Sequence, residues 1–251
     1  MLDRLARQEV GELELDPIPH RVADGVLASQ LERIGVRIRR QEVHLAEREI
    51  ARRLLAAPRP VGTPPVRIVD VGTGSGAVIV TLAVLLDRAG MLNEMDLLAT
   101  DSDPDALQLA RENAVGHAMG DRIRFEVADL LPGESVQHWD LILANLPYVR
   151  TDAIPGLPRA ASFEPRGALD GGPDGLTTIS RLLDLLPGSL AHDGVALIEI
   201  GADQADAMAA AVTERLRGWV CSIESDLAGL PRVARVMRDL GPARGTVAGP
   251  A

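Results

Sequence analysis

The chain has 251 residues, of which 46% are hydrophobic and 25% are charged, which is typical of one medium-sized globular domain with a small appendage. Its formal net charge of −10 and pI of about 5.0 argue against nucleic acid as the main partner, because proteins that bind phosphate backbones are usually basic. No apolar run approaches the roughly 18 residues that a membrane helix needs, so no membrane span is expected.

Three regions are predicted along the chain. Residues 1–35 are predicted to form one or two short helices, which make a small N-terminal helical extension. Residues 36–240 are predicted to form the main domain, which opens with a short strand and a helix with one buried stripe, Val43, Ala46, Ile50 and Leu54. Residues 241–251 are rich in glycine, proline and alanine and are expected to be a disordered tail.

Strands and helices alternate regularly through the main domain. Apolar runs predict strands at residues 66–71, 96–100, 122–127, 141–144, 195–200, 220–224 and 233–237. Helical spacing of apolar residues predicts helices at residues 76–86, 104–116, 175–190 and 204–216. This alternation predicts a doubly wound, Rossmann-like α/β fold, with a seven-stranded, mostly parallel sheet covered by helices on both faces.

A glycine loop at residues 70–76, Asp-Val-Gly-Thr-Gly-Ser-Gly, follows the first of these strands. Ligands bind beyond the carboxyl ends of strands in such sheets, and glycine lets the backbone approach them at positive φ. The Gly-x-Gly-x-Gly spacing differs from the Gly-x-Gly-x-x-Gly dinucleotide fingerprint. A carboxylate at Asp70 is unfavourable beside a pyrophosphate, whereas it suits a ligand with an amine and a sulfonium cation. The sequence therefore favours S-adenosyl-L-methionine over a nicotinamide cofactor, held by Asp70, Gly72, Thr73, Gly74 and Gly76.

Acidic residues end the next two strands. Asp101, followed by Ser102, is placed to accept hydrogen bonds from both ribose hydroxyls, since Asp103 already supplies the cap of the next helix. Asp129 follows the third strand and is predicted to accept from the adenine amino group, with Leu130 packing on the ring. A surface acid at a strand end is the alternative for Asp129.

The only tyrosine of the chain lies in Asn145-Leu146-Pro147-Tyr148, directly after the fourth strand. The Asn145 side-chain oxygen and the Leu146 carbonyl can accept the two N–H bonds of a flat NH2 group, because Pro147 keeps the chain extended there. Tyr148 can stack on the same group. An amide nitrogen is a poor nucleophile, so holding both hydrogens directs it at the methyl group. We predict that these four residues are catalytic and that Asn145 also contacts the cofactor; a plain strand-ending turn is the alternative.

The numbers and positions of cysteine and histidine bear on whether the chain forms a disulfide or binds a metal ion. A single cysteine, Cys221, excludes an intrachain disulfide and favours a reducing, cytoplasmic setting. The five histidines are scattered and show no ligand spacing, so no metal site is expected.

Six motifs occur in one order, at residues 70–76, 100–107, 110–113, 145–148, 163–169 and 171–176. Together they resemble class I methyltransferases of the HemK/PrmC type, which methylate the glutamine side-chain amide in the Gly-Gly-Gln loop of peptide-chain release factors. The resemblance covers about residues 36–238. It implies S-adenosyl-L-methionine as cofactor, a release factor as protein partner and a cytoplasmic enzyme, for which we expect a monomer.

The resemblance also implies a substrate pocket. Its closing segment is Phe163-Glu164-Pro165, which is the most specific of the motifs. The predicted substrate-binding residues are thus Asn145, Pro147, Tyr148, Phe163, Glu164 and Pro165. Three departures from the family are present. Leu146 replaces the usual proline, and Arg40-Gln-Glu-Val-His44 stands where the family has Arg-Pro-Glu-Thr-Glu. Residues 1–35 make only a reduced form of the family's substrate-docking domain.

Three alternatives stay open at this point. The first is methylation of a ribosomal-protein glutamine. The second is methylation of adenine in ribosomal RNA or DNA, since Asn-Leu-Pro-Tyr also resembles ribosomal RNA adenine N-methyltransferases. The third is a non-catalytic module that binds S-adenosyl-L-methionine, which would not need an intact set at residues 145–148.

Overall fold

The computed structural model describes residues 45–46, 49–50, 62–132, 138–157, 165–226 and 228–241. The predicted N-terminal extension at residues 1–35, the tail beyond residue 241, and Phe163 and Glu164 lie outside the described residues. Within the described part of the chain, no helix is long and apolar enough to cross a membrane. The same ranges contain no group of three or more His, Cys, Asp or Glu side chains arranged to hold a metal ion.

Seven strands form one sheet in the described residues: β1 (Val66–Val71), β2 (Met95–Asp101), β3 (Ile123–Val127), β4 (Trp139–Ala144), β5 (Leu190–Glu199), β6 (Trp219–Ser225) and β7 (Pro231–Arg238). The α-helices between them are α1 (Ala77–Arg88), α2 (Pro104–Gly116), α3 (Arg166–Leu169), α4 (Thr177–Ser189) and α5 (Ala205–Arg215). Short 3-10 turns occur at Leu92–Glu94 and Ile154–Gly156.

The strand order of the sheet is β3-β2-β1-β4-β5-β7-β6. Strands β1 to β5 pair in parallel, and β7 runs antiparallel between β5 and β6. The order along the sheet reverses between β1 and β4, and open α/β sheets bind ligands at this kind of reversal. The predicted Rossmann-like fold, with a mostly parallel seven-stranded sheet, is confirmed for the described residues.

The core lies on both faces of this sheet. Neighbouring residues of β1 point to opposite faces, so that Ile68 packs in the cluster that includes α1 and Val69 packs in the cluster that includes α4 and α5. A parallel strand buried on both faces is apolar along nearly its whole length, which explains the run in β1. Of the predicted buried stripe, Ala46 and Ile50 are both fully buried in the cluster with α1, while Val43 and Leu54 lie outside the described residues.

One strand begins earlier than the sequence predicts. Strand β5 starts at Leu190 rather than at residue 195, because Leu190 pairs with Trp139 across an irregularity in the register with β4. The polar residues 192–194 look like a turn in the sequence. In the structure, a β-carbon on Gly194 would lie 2.9 Å from the Trp139 carbonyl oxygen, so glycine lets the two strands remain close there.

The start of α2 follows directly from the sequence. Its bounds are the predicted residues 104–116. Asp103 caps the helix by accepting a hydrogen bond from the Asp105 N–H at 2.9 Å, and Pro104 occupies the first helical position. Because Asp103 caps the helix, Asp101 is not needed for that purpose.

Candidate cofactor and substrate site

The glycine turn after β1 has the backbone conformation that its sequence predicts. Gly72, Gly74 and Gly76 have φ angles of 67°, 56° and 77°, which side chains other than glycine rarely adopt. The Thr73 N–H donates to the Thr100 carbonyl at 2.9 Å, which ties the turn to the end of β2. The turn is therefore fixed at the carboxyl edge of the sheet, where a cofactor would bind.

Close packing behind the turn explains two of the sequence motifs. A β-carbon on Gly76 would lie 3.0 Å from the Ala110 β-carbon, so only glycine allows α1 to begin this close to α2. Asn113 donates from Nδ2 to the Ser75 carbonyl at 2.9 Å. The motif at residues 110–113 thus supports the glycine turn from α2.

Asp70 is buried beneath the turn, with 2% of its surface exposed. Burial raises the pKa of this carboxyl from 3.8 to about 7, against the effect of a 2.6 Å hydrogen bond that Thr73 Oγ1 donates to it. The Asp101 carboxylate also raises the pKa. A cation placed beside Asp70 would favour its charged form.

Asp101 is held at the end of β2 by two backbone groups. Its Oδ2 accepts from the Gly74 N–H and its Oδ1 accepts from the Asp103 N–H, both at 2.9 Å. Each carboxylate oxygen has acceptor capacity beyond one hydrogen bond. Asp101 can therefore bridge the glycine turn and a ribose diol, while Ser102 beside it is exposed.

Asp129 and Leu130, the predicted adenine contacts, differ in their surroundings: the first is exposed and the second is buried. Asp129 accepts a 2.6 Å bond from the Arg181 guanidinium of α4, with both side chains more than half exposed. Such a surface ion pair contributes about 0–1 kcal/mol, so adenine can compete with Arg181 for the carboxylate. Leu130 is buried with φ of 75°, and its carbonyl accepts from Thr100 Oγ1 at 2.8 Å. A bulky residue in this conformation is strained, as is common where the surrounding site fixes the backbone.

The loop after β4 packs directly on the glycine turn. A β-carbon on Gly72 would lie 2.9 Å from Leu146 Cδ2 and 4.0 Å from the Asn145 carbonyl oxygen. The Leu146 side chain is buried, whereas Asn145 is half-buried. The structure therefore brings the predicted cofactor turn and the predicted Asn145–Tyr148 loop together through one side chain.

Tyr148 is held by residues that sequence reasoning did not assign. Its hydroxyl donates to Glu199 Oε1 at 3.1 Å, and its carbonyl accepts from Gln204 Nε2 at 3.0 Å. The sequence does mark Glu199 as unusual, because its carboxylate ends the apolar run of β5. Pairing it with Tyr148 required the fold.

The motif at residues 171–176 packs against the same loop. A β-carbon on Gly171 would lie 2.8 Å from both the Pro147 carbonyl oxygen and the Tyr148 Cα. A bridge between Val149 and Asp170 continues this contact. The predicted pocket-closing residue Pro165 is exposed, while Phe163 and Glu164 are outside the described residues, so the closing role of the segment stays a prediction.

Replacing Gly72 by alanine tests the contact between the turn and the loop. Gly72→Ala should lower the free energy of unfolding by about 1–3 kcal/mol more than Gly90→Ala, since only the first creates a clash. Gly90 is the matched control, because its φ of 71° is similar and nothing lies within 4 Å of its added β-carbon. Urea unfolding of both variants measures the difference, and equal losses would contradict the contact.

The raised pKa of Asp70 predicts a pH dependence of stability. Between pH 3.8 and about 7 the unfolded chain releases the Asp70 proton while the folded protein keeps it. The stabilisation from this group is full below that range and is lost as the pH rises through it. Asp70→Asn stays neutral, so its stability should fall less over this range than that of the wild type. Asp87→Asn, at an exposed position in α1, should keep the wild-type profile; parallel profiles for all three proteins would refute the assignment.

Comparison with known proteins agrees with this geometry. The family model described as ribosomal protein L11 methyltransferase (PrmA) matches residues 59–148, which include the glycine turn and the Asn145–Tyr148 loop. Release factor glutamine methyltransferase of Moorella thermoacetica is 43% identical over 141 residues, covering 56% of this chain and 48% of the relative. The corresponding protein of Koribacter versatilis is 37% identical over 180 residues, covering 70% and 59%.

A relative with a different named substrate also matches. Ribosomal protein uL3 glutamine methyltransferase of Bordetella pertussis is 34% identical over 159 residues, covering 63% of this chain and 51% of the relative. Among solved structures, the N-terminal domain of human METTL16 in complex with SAH gives a TM-score of 0.51 at 18% identity, covering 82% of this chain and 72% of that one. At this sequence identity, the similarity between the two structures shows a shared fold only.

The chain spans about half to three fifths of the length of these curated relatives, 48% to 59%. The shared part contains the turn after β1 and the loop after β4. The resemblance predicted from the motifs is thus confirmed, and the chain is similar to the release factor glutamine methyltransferases over the part that they share.

Proposed function

We propose that the protein transfers a methyl group from S-adenosyl-L-methionine to the side-chain amide nitrogen of a protein glutamine, in the Gly-Gly-Gln loop of a peptide chain release factor. The observation that carries the proposal is the packing of Leu146 on Gly72, because it brings the Asn145–Tyr148 loop beside the glycine turn. The named relatives of the chain act on glutamine, which supports the same chemistry.

The residues around the turn fit the cofactor. Gly72 and Gly74 are half-buried turn residues at positive φ, and Asp101 offers acceptors for a ribose. A cation beside the buried Asp70 would favour the charged form of this carboxyl. S-adenosyl-L-methionine supplies an electrophilic methyl group on a sulfonium and leaves as S-adenosyl-L-homocysteine. The residues that would hold it are Asp70, Gly72, Thr73, Gly74, Gly76, Asp101, Ser102, Asp129, Leu130 and Asn145.

The Asn145–Tyr148 loop would hold the glutamine amide. Asn145 Oδ1 and the Leu146 carbonyl each accept one amide N–H, and the Tyr148 ring stacks on the amide plane. The nitrogen gains a carbon and loses one of its two protons, and these two acceptors are placed to hold the departing hydrogen until water takes it. Positioning and charge stabilisation of this kind require no covalent bond to the enzyme.

Two further aspects belong to the same proposal. A release factor is cytoplasmic, which agrees with the reducing setting that the single Cys221 favours. We propose a monomer whose docking to the release factor involves residues 1–35.

Methylation of a ribosomal-protein glutamine is the second candidate function, and the match to uL3 glutamine methyltransferase is the observation that favours it.

Labelled S-adenosyl-L-methionine tests the proposal directly. The purified protein is offered release factor, ribosomal proteins, ribosomal RNA and DNA in separate reactions. We expect label in the release factor and loss of that label when its Gly-Gly-Gln glutamine is replaced. Label only in RNA or DNA would overturn glutamine chemistry, and label only in a ribosomal protein would establish the second candidate.

Two alanine variants separate transfer from cofactor binding. Asn145→Ala should slow methyl transfer by roughly 10²–10³, by analogy with the loss of one oxyanion-hole donor, and should weaken S-adenosyl-L-homocysteine binding less than Asp101→Ala does. Asp101→Ala should weaken that affinity first, because it removes the ribose acceptors. Calorimetric titration and single-turnover rates measure the two effects. Undiminished transfer by the first variant, or undiminished affinity of the second, would remove the residue concerned from its role.

A further inference from the structure

We propose that Glu199 and Gln204 are positioning residues that fix the Tyr148 ring before substrate arrives. This inference rests on the proposed function and concerns the same loop. Both residues come from the end of β5 and the turn that follows it, and each bonds to a different end of Tyr148. Neither was assigned a role by the sequence motifs.

The first attachment holds the ring hydroxyl. Glu199 ends β5 with 1% of its surface exposed, and its Oε1 accepts from the Tyr148 hydroxyl at 3.1 Å. β5 pairs with β4 up to Ala144 and Ile198, so Glu199 follows directly after the last paired residues. Glu199 also pairs with Val233 of β7, so strand pairing fixes the position of the acceptor that holds the ring hydroxyl.

The second attachment holds the backbone of the same residue. Gln204 Nε2 donates to the Tyr148 carbonyl at 3.0 Å, while Gln204 Oε1 accepts from the Gly201 N–H at 2.7 Å. Because both ends of this buried amide are used, its orientation is set by the turn between β5 and α5. Tyr148 is therefore held at its backbone and at the far end of its side chain.

This double attachment determines what Tyr148 offers to a substrate. Its hydroxyl already donates to Glu199, so the ring face is what recognises a flat group. Stacking of the substrate on Tyr148 then depends on the orientation of the ring, which Glu199 and Gln204 fix before the substrate binds. A misplacement of about 1 Å in a reacting group can cost about 10² in rate, so loosening the ring should affect turnover more than cofactor binding.

A double-mutant cycle tests the role of Glu199. Tyr148→Phe, Glu199→Leu and the double variant should each lower the transfer rate by about tenfold, without additivity, because all remove the same bond. Glu199→Gln is the conservative control and should stay near the wild-type rate, since its amide oxygen still accepts from the hydroxyl. Affinity for S-adenosyl-L-homocysteine should be unchanged in all four. Additive losses, or a Glu199→Gln variant as slow as Glu199→Leu, would overturn the role.

A second measurement needs no substrate and no activity. Tyr148 is the only tyrosine, so protein grown with ring-labelled 13C-tyrosine gives NMR signals from this ring alone. We expect Glu199→Leu to shift the Cζ resonance and Gln204→Leu to speed ring averaging, while Glu199→Gln keeps the wild-type spectrum. Unchanged spectra in both leucine variants would overturn the positioning role. Absence of methyl transfer by the wild type to every substrate would instead overturn the proposed function, leaving the NMR result to decide the attachment.

Discussion

The register of the parallel strands at the centre of the sheet sets which residues meet at the candidate site. Val71 of β1 pairs with Thr100 of β2 on one side and with Ala144 of β4 on the other. The residues that follow these strands, including Asp101 and Asn145, are consequently brought to one edge. A slip of one residue between strands would turn side chains to the opposite face of the sheet and separate the proposed cofactor residues from the proposed NH2-binding loop.

Three carboxylates at this edge are kept in three different states by their surroundings. Asp70 is buried, and desolvation raises its pKa to about 7. Asp101 accepts backbone N–H groups from the turn and from the start of α2, so it is fixed in place. Asp129 is exposed and bonds to Arg181. Their environments therefore differ: a nearby cation would favour the charged form of Asp70, Asp101 is a fixed acceptor, and solvent screens Asp129. These differences support the proposal that the three carboxylates serve the cationic, ribose and adenine parts of one cofactor.

Local patterns made the fold and part of the site predictable from the sequence. The bounds of α2 followed from the cap at Asp103, and the glycine turn followed from its spacing. Partners far apart in the chain were not predictable, because periodicity carries no information about them: Tyr148 and Glu199 are 51 residues apart, and only pairing of β4 with β5 brings them together. The early start of β5 was missed for a related reason, since Gly194 looks like a turn until Trp139 is seen beside it.

The side chain and the backbone carbonyl of Leu146 have separate roles, the first in packing and the second as a proposed acceptor. The side chain is buried against Gly72, in the cluster that also holds Leu176. The carbonyl is the proposed acceptor for one substrate N–H, and it is present whether residue 146 is leucine or proline. The substitution relative to the HemK/PrmC pattern therefore alters packing under the turn and leaves the acceptor intact. Choice between glutamine and adenine must then come from groups that meet the rest of the substrate, since an amide and an adenine present the same NH2 to Asn145.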